Sequence, residues 1–279
     1  MNARDTLIST EAAALPVQSA ALPALDFLGV RLTALDRQAV AGIIAARDVR
    51  APFAYVVTPN AQHFVKLDKG DDKDFAAAYD HAWMRLCDSQ VARRLARLLF
   101  GLQIPLVAGS DLTAWLFAHH IRPEDPVTVI GGSAELDRRL RERFHLEHLS
   151  MHVPPMGFIR DPAAVEACVD FVNTHPARYV FLAVGMPQSE ILACRIAQAG
   201  RATGVGMCVG SSLLFVTDIT RRAPPVWRDL GLEWLYRLLI NPRGHAKRVF
   251  VDSLPLLGVV MRAFLRGRGA SGLRDRERE

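Results

Sequence analysis

The chain has 279 residues, of which 50% are hydrophobic and 23% are charged, and its formal net charge at pH 7 is +5. This composition is typical of a globular protein with a sizeable core and excludes a disordered or fibrous chain. No apolar run reaches the roughly 20 residues that a membrane-spanning helix needs, and the N-terminus lacks the pattern of a signal peptide. The sequence pI of about 9.3 favours an anionic partner, such as a nucleotide or an anionic lipid surface.

The cysteines and histidines of the sequence lack the spacings that usually hold disulfides, metals or cofactors. The 4 cysteines are scattered through apolar stretches without a CxxC pair, so we expect reduced core thiols in a cytoplasmic protein. The 9 histidines show no HExxH spacing, and no GxSxG motif is present. We therefore expect neither a metal nor a cofactor. Few stacking aromatics are interleaved with the basic residues, which argues against nucleic acid as a partner.

Short apolar runs alternate with helical patterns from about residue 50 to residue 210. The runs are continuously apolar, which is typical of strands buried on both faces of a parallel sheet. We therefore expect an α/β fold with a Rossmann-like, doubly wound, mostly parallel sheet. The chain divides into a mobile leader over 1–24, an α/β domain over 25–219 and a C-terminal helical appendage over 220–279. The predicted strands are 27–32, 53–57, 84–87, 104–108, 127–130, 149–153, 179–184 and 205–209.

Polar side chains follow two of these strands, at the edge where folds of this class bind ligands. Thr58 and Asn60 end one strand, and their hydroxyl and amide groups can hold a sugar or a phosphate. Asp88 ends the next strand, where a carboxylate can act as a general base on a hydroxyl group. For all three residues the plain alternative is a cap of the following helix. Both interpretations stay open at this point.

Two turns that contain glycine follow later strands. Gly131 and Gly132 precede a helix, and glycines there let a phosphate approach backbone N–H groups at the positive helix end. A complete GxGxxG is absent, so a dinucleotide cofactor is not supported. Glu190, in the second turn, has the alternative role of a partner for the helix dipole. The candidate binding residues of that second turn, GMPQSE, are Gly185, Pro187, Gln188 and Glu190.

The stretch 221–250 combines two basic clusters with an aromatic amphipathic helix: RRAPPVWRDLGLEWLYRLLINPRGHAKRVF. Pro224 and Pro225 end the preceding element, and Asp229 can cap the helix. Its apolar face consists of Leu232, Leu235, Tyr236 and Leu239. The arginines suited to a bidentate grip on phosphate are Arg222, Arg237, Arg243 and Arg248. The alternative is a helix packed on a core with its charges in water.

These elements resemble, in composition and order, the signatures of the WecG/TagA/CpsF glycosyltransferases (glycosyltransferase family 26). TPN at 58–60 matches the family's Thr-x-Asn element, and LCD at 86–88 is similar to an element whose aspartate is the proposed general base. IGG at 130–132 resembles its glycine turn, and GMPQSE looks like its GxPxQE element. RAPPxW followed by LEWLYRLL is the closest match, and the resemblance covers about residues 25 to 250.

The resemblance implies a metal-independent, inverting glycosyltransferase that needs no cofactor. Such an enzyme moves a sugar from a UDP-sugar to a polyprenyl-diphosphate-linked acceptor in cell-surface or exopolysaccharide biosynthesis. It is peripheral on the inner face of the cytoplasmic membrane. By the resemblance Asp88 is the base, Thr58 and Asn60 position the substrate, and arginines of the appendage bind the diphosphate. The choice between a hexose and an N-acetylhexosamine stays open, as does assembly into a homo-oligomer.

Two other functions remain compatible with these residues. Ser89 and Ser189 replace a glycine and a glutamine of the family pattern, which keeps open a membrane-surface scaffold that has lost catalysis. The second alternative is a nucleotide-dependent oxidoreductase on a similar fold, although the GxGxxG that it needs is incomplete.

Overall fold

The computed structural model of the chain describes residues 22–220, 254–267 and 270–271, with single positions at 224, 227, 235, 236 and 239. The strands are β1 (Ala24–Phe27), β2 (Val30–Thr33), β3 (Ala54–Val57), β4 (Met84–Arg85), β5 (Val127–Gly131), β6 (Leu149–His152), β7 (Tyr179–Ala183), β8 (Val205–Cys208) and β9 (Ala270–Ser271). The helices are α1 (Arg37–Ala46), α2 (Ala61–Lys69), α3 (Lys73–His81), α4 (Gln90–Phe100), α5 (Gly109–His119), α6 (Ala134–Phe144), α7 (Pro162–Thr174), α8 (Gln188–Ala199), α9 (Ser212–Val216) and α10 (Pro255–Leu265).

Strands β3 to β8 form one parallel sheet of six strands in the order β4-β3-β8-β7-β5-β6. At its centre, Val57 pairs with Cys208. Side chains along each strand alternate between two cores: Tyr55 and Val57 belong to one, and Val56 belongs to the other. Both faces are therefore buried, which explains the continuous apolar runs. The predicted Rossmann-like, parallel sheet is confirmed.

Helices cover both faces of this sheet, as the doubly wound prediction requires. One face is covered by α1, α5, α6 and α9, whose apolar sides include Leu112 and Leu136. The other face is covered by α2, α3, α4, α7, α8 and α10, with Phe64 and Leu192 among the buried residues. The two helix layers bury the central strands β3, β5, β7 and β8, so a ligand can approach these strands at their ends.

Polar N-caps fix the starts of six helices among the described residues. Their side chains accept a hydrogen bond from a backbone N–H of the first turn, which satisfies a donor that the helix leaves unpaired. Each cap directly precedes the residues of its helix and thus marks in the sequence where that helix begins. The capping residues are Asp36, Asn60, Asp72, Ser89, Ser133 and Asp161.

A smaller sheet, with the order β2-β1-β9, joins the two ends of the described chain. The hairpin of β1 and β2 has a turn in which Leu28 and Gly29 adopt φ of 53° and 76°. Such positive values are typical of tight hairpin turns. The single strand predicted over 27–32 is therefore wrong, because this turn lies inside it. β9 pairs with the other edge of β1 and sets Ala270 opposite Phe27.

The strand predicted over 104–108 is also wrong. The segment follows an extended path without entering the sheet. The N–H of Val107 donates to the Cys87 carbonyl at 2.9 Å, and one such bond does not make a ladder. Ile104 and Val107 are nevertheless buried, in different cores. A buried extended segment and a strand have the same apolar pattern, so the sequence alone did not separate them.

Helix α10, in the predicted C-terminal appendage, packs on α2 and α4. Leu256, Val259 and Val260 are buried there and belong to the same core as α2. At the edge of this contact Arg262 pairs with Asp68 at 2.7 Å. Part of the predicted appendage thus shares the core of the α/β domain.

Candidate active site

The carboxyl edge of the parallel sheet gathers the loops that the sequence analysis singled out. The neighbouring strands β4, β3, β8, β7 and β5 bring Asp88, Thr58, Gly185 and Gly131 to this edge. Four interstrand spacings make this row about 19 Å long. The helices that follow the adjacent strands β5 and β7, α6 and α8, lie on opposite faces of the sheet. Such a divergence opens the crevice in which α/β folds bind ligands.

Asp88 is held at both its backbone and its carboxylate. Its N–H donates to the Pro59 carbonyl at 2.8 Å, which ties it to the loop after β3. Its Oδ2 accepts from the Gly109 N–H at 3.1 Å, at the N-terminus of α5. The positive end of a helix stabilises a nearby negative charge. The capping alternative for Asp88 is wrong, because Ser89 caps α4 by accepting from the Ala92 N–H.

Thr58 is buried, and its hydroxyl group serves the sheet. Oγ1 donates to the Cys208 carbonyl at 3.0 Å, which links the ends of β3 and β8. Gly109 packs on the same side chain, since a Cβ at Gly109 would lie 3.0 Å from Thr58 Oγ1. Thr58 therefore supports the backbone that binds the Asp88 carboxylate. The structure gives Thr58 this supporting position, and direct substrate contact by Thr58 stays a prediction.

Asn60 caps α2 and also joins a buried polar cluster. Its Oδ1 accepts from the Gln62 N–H at 3.0 Å, so the capping alternative is confirmed for this residue. The Nδ1 of His63 lies 2.8 Å from the same oxygen. On the other side of the ring, His63 Nε2 lies 3.3 Å from Glu190 Oε1, and both side chains are less than a tenth exposed. The cluster of Asn60, His63 and Glu190 thus connects the loop after β3 with the loop after β7.

Two buried polar atoms beside this cluster have no hydrogen-bond partner within the described part of the chain: Glu190 Oε2 and the Tyr79 hydroxyl oxygen. Burial, and then the negative charge of Glu190, hold the pKa of Tyr79 well above its ordinary value. Burial and the same carboxylate raise the pKa of Cys208. Both groups are therefore neutral near pH 7. Glu190 lies in an apolar region, where an unpaired polar atom is costly.

Gly131 and Gly132 allow a close approach of two backbone segments. Their φ values are 99° and 94°, which L side chains rarely adopt. A Cβ on Gly131 would lie 2.7 Å from the Ala183 carbonyl oxygen, and one on Gly132 would lie 2.8 Å from Leu136 Cδ2. Packing thus requires glycine at 131, where the neighbour is backbone, whereas at 132 the neighbour is the end of a flexible side chain and the positive φ favours glycine. The turn leads into α6, capped by Ser133, and phosphate binding at this helix end stays a prediction.

The loop after β7 is folded back on itself. The Met186–Pro187 peptide bond is cis. The amide of Gln188 lies against the Gly185 carbonyl. Ser189 is buried, and its hydroxyl group donates to the Leu182 carbonyl at 3.0 Å. The Ser189 hydroxyl group therefore holds the loop, and Gln188 is half-buried at the first position of α8.

An Asp-x-Asp run, a pattern that often bridges a metal ion to a diphosphate, occurs at Asp72 and Asp74. Asp72 caps α3 by accepting from the Phe75 N–H at 3.0 Å, and it pairs with Lys66 at 2.9 Å. Asp74 pairs with Arg195 at 3.5 Å. These contacts give the run a role in helix α3. Over the described ranges, no group of three or more His, Cys, Asp or Glu side chains could hold a metal ion.

The structure brings most of the predicted site residues to one edge, and it adds one residue. His63 was not among the predicted site residues. Its signal in the sequence is the spacing of three residues from Asn60, which places a side chain opposite the helix cap. The predicted phosphate-binding residues that lie outside the described residues are Arg222, Arg237, Arg243 and Arg248.

A comparison with known protein families identifies the class. The sequence profile of the Glycosyl transferase WecG/TagA/CpsF family matches residues 25–270, which include the whole parallel sheet and its polar edge. The chain therefore belongs to the WecG/TagA/CpsF family, and the resemblance seen in the sequence is confirmed.

This family consists of glycosyltransferases in cell-surface polysaccharide biosynthesis, which in general use a nucleotide-sugar donor and a lipid-linked acceptor. The match gives no support to the oxidoreductase alternative. Among the helices whose residues the structure describes, none has the length and apolar character that crossing a membrane requires.

Proposed function

We propose that the protein is an inverting, metal-independent glycosyltransferase that moves a hexose or an N-acetylhexosamine from a UDP-sugar to a polyprenyl-diphosphate-linked acceptor. The observation that carries this proposal is the position of the Asp88 carboxylate at the carboxyl edge of the sheet, where the Gly109 N–H binds it. Asp88 is half-buried, so an acceptor hydroxyl group can reach it from the crevice.

In this proposal Asp88 accepts the proton of the acceptor hydroxyl group while that oxygen attacks the anomeric carbon of the donor. A new glycosidic C–O bond forms on one face of the sugar. The bond between the anomeric carbon and the diphosphate oxygen breaks on the opposite face, and UDP departs with the electron pair. The anomeric centre is inverted, and one carboxylate is enough because no sugar–enzyme bond forms.

The departing diphosphate needs positively polarised partners. Backbone N–H groups of the first turn of α6 follow Gly132 at the same sheet edge, and such helix ends bind phosphate groups. Asn60 and the loop from Gly185 to Gln188 flank the space between Asp88 and this helix end. The arginines that we propose to neutralise the diphosphate are Arg222, Arg237, Arg243 and Arg248.

The outward side of α10 supports a position on the inner face of the cytoplasmic membrane. Arg266, at the end of this helix, is exposed beside an apolar stripe. An amphipathic helix of this kind is typical of binding at a lipid–water interface. The stripe recurs every three or four residues and is exposed at Leu254 (60%), Leu257 (49%), Met261 (38%) and Leu265 (78%). A protein bound through α10 meets a lipid-linked acceptor where that acceptor resides.

The experiment that tests the proposal measures UDP release from a panel of UDP-sugars, with a short-chain polyprenyl-diphosphate-linked sugar as acceptor and EDTA in the assay. We expect release that depends on the acceptor and that occurs with one donor. Release that EDTA abolishes contradicts metal independence. If folded protein releases no UDP across a broad panel of donors and acceptors, the transferase is contradicted and the membrane-surface scaffold is favoured.

A further inference from the structure

The distances in the buried cluster of Asn60, His63 and Glu190 determine where its protons lie. His63 Nδ1 has two neighbours, Asn60 Oδ1 at 2.8 Å and the Asn60 backbone nitrogen at 3.3 Å. It can donate to the oxygen or accept from the N–H. Without a proton, Nδ1 would direct its lone pair at an oxygen lone pair only 2.8 Å away. The contact with Oδ1 is the shorter of the two, and a proton on Nδ1 makes it a hydrogen bond, so we infer that Nδ1 carries a proton.

A second proton lies between His63 Nε2 and Glu190 Oε1, which are 3.3 Å apart. With a proton on Nδ1, a neutral imidazole would present the lone pair of Nε2 to a carboxylate oxygen, and two acceptors would face each other. A proton on either the ring or the carboxyl group removes this conflict. In both cases the contact between Nε2 and Oε1 becomes a hydrogen bond, which holds the His63 ring in place.

The orientation of the Asn60 amide follows from these protons. Oδ1 accepts from the Gln62 N–H at 3.0 Å, from the His63 Nδ1–H at 2.8 Å and from the His63 backbone N–H. A rotation of the amide would break these hydrogen bonds. Within the described part of the chain, the polar group of this half-buried side chain that has no hydrogen-bond partner is Nδ2, which has N–H donors and no acceptor.

We propose that His63 and Glu190 are positioning residues that fix Asn60 as a hydrogen-bond donor to an oxygen atom of the UDP-sugar. This proposal rests on the proposed function for the identity of the ligand. Glu190 acts through His63 and does not touch the substrate. The arrangement recognises acceptor oxygens, which a diphosphate and a sugar hydroxyl group both supply.

The proton on Nδ1 can be tested without any substrate. The full chain is labelled with ¹⁵N-histidine, and His63 is identified by the signals that disappear in His63→Asn. We expect a protonated Nδ1 at pH 7. An unprotonated Nδ1 overturns the inference, whatever the enzymatic activity of the protein.

Two substitutions at His63 separate positioning from packing. In His63→Asn the amide nitrogen takes the place of Nδ1 and keeps the donor to Asn60, whereas in His63→Gln it takes the place of Nε2 and keeps only the contact with Glu190. We expect His63→Gln to raise KM for the UDP-sugar about tenfold at unchanged kcat, as for one lost hydrogen bond. His63→Asn should raise KM by less than threefold. Equal losses in the two variants, or a loss confined to kcat, overturn the proposal.

Asn60→Asp provides the matched control, because aspartate caps a helix as well as asparagine but has no N–H donor. Alone it should also raise KM about tenfold. Combined with His63→Gln it should add little, since both changes remove one interaction. Multiplied losses contradict the coupling. Binding of UDP alone separates the ligand oxygens: a loss with both UDP and UDP-sugar places the oxygen on the nucleotide, and a loss with UDP-sugar alone places it on the sugar.

If the wild-type chain binds no UDP-sugar, the proposed function fails, and the ¹⁵N measurement still decides the proton positions. If it binds UDP-sugar but the variants bind equally well, only the positioning role fails. The two proposals are therefore refuted by different results.

Discussion

At the scale of single residues, Asp88 combines a fixed position with partial exposure. Pro59 fixes its backbone, and Gly109 binds its carboxylate. An asparagine at this position can keep both contacts, because its side-chain oxygen also accepts from the Gly109 N–H. The substitution therefore removes the basic group and leaves its surroundings in place.

Asp88→Asn should lower kcat of sugar transfer by about 10²–10⁴-fold, the usual contribution of a general base. The urea midpoint and the circular dichroism should match those of the wild type. Asp170→Asn is the control, since Asp170 is an exposed carboxylate on α7 that pairs with Arg201. Wild-type turnover in Asp88→Asn would show that another group removes the proton.

A substitution at Gly131 tests the close approach of the β5 and β7 strand ends beside the crevice. Gly131→Ala forces a Cβ to within 2.7 Å of the Ala183 carbonyl at a φ of 99°. Gly200→Ala is the matched control, with a φ of 66° and open space around the added Cβ. We expect Gly131→Ala to lower the free energy of unfolding by about 1–3 kcal/mol more than Gly200→Ala does, because overpacking adds to backbone strain. Urea titrations of both variants measure the difference, and equal losses would contradict the close approach.

At the scale of elements, local signals are easier to read from the sequence than long-range contacts. Asp161 and Pro162 mark the start of α7 in the sequence, because a cap and a first-turn proline act locally. The strand predicted over 104–108 was wrong because entry into a sheet depends on distant partner strands, which a local sequence pattern does not reveal. The same limit applied to the site. Asp88 was found because it ends a strand, but the contact of His63 with Glu190 spans 127 residues and depends on the strand order.

Two adjacent leucines lie on opposite sides of α10, one facing the core and one facing outward. Leu256 is 1% exposed and Leu257 is 49% exposed. Leu256→Ala should lower the free energy of unfolding by about 2–5 kcal/mol, because it leaves a cavity in the core. Leu257→Ala should change it by less than about 0.5 kcal/mol and weaken binding to vesicles that contain anionic lipid.

Urea titration of both leucine variants measures the free energy of unfolding, and vesicle sedimentation measures their binding to lipid. Unchanged vesicle binding in Leu257→Ala, and also in its double variant with Leu265→Ala, argues against α10 as the membrane contact. A mild effect of Leu256→Ala on unfolding argues against the packing of α10 on α2 and α4.

At the scale of the whole molecule, composition and apolar patterning predicted the class of fold, and the family match agrees with it. The order of the strands in the sheet could not be predicted from the sequence, since parallel strands that are buried on both faces have the same apolar pattern. The arginines of the C-terminal segment remain a prediction because they lie outside the described residues.

Alkaline pH should weaken the fold. Burial raises the pKa of Cys87 from 9.0 to about 12, and burial followed by the charge of Asp125 raises the pKa of Tyr179 from 10.0 to about 12. Above about pH 9 the unfolded chain releases protons that the folded chain retains. Stability is therefore complete below pH 9 and falls as the pH rises toward 12, by about 1.4 kcal/mol per pH unit for each such group.

Urea midpoints at pH 8, 9, 10 and 10.5 measure this loss of stability. The decline should be shallower in Cys87→Ala, which lacks one of the buried groups whose pKa is raised. A midpoint that stays constant up to pH 10.5 would contradict the raised pKa values of the buried thiol and phenol.

The pairing of β3 with β8 has a consequence for protein synthesis. Thr58 hydrogen-bonds to Cys208, 150 residues further along the chain. A ribosome that adds about 5–20 residues per second needs on the order of ten seconds to make this stretch. During that time one edge of β3 is translated but unpaired, and free strand edges attract other strands. The centre of the sheet, and the crevice above it, can therefore close only after β8 has been translated, and until then the free edge of β3 can pair with other strands.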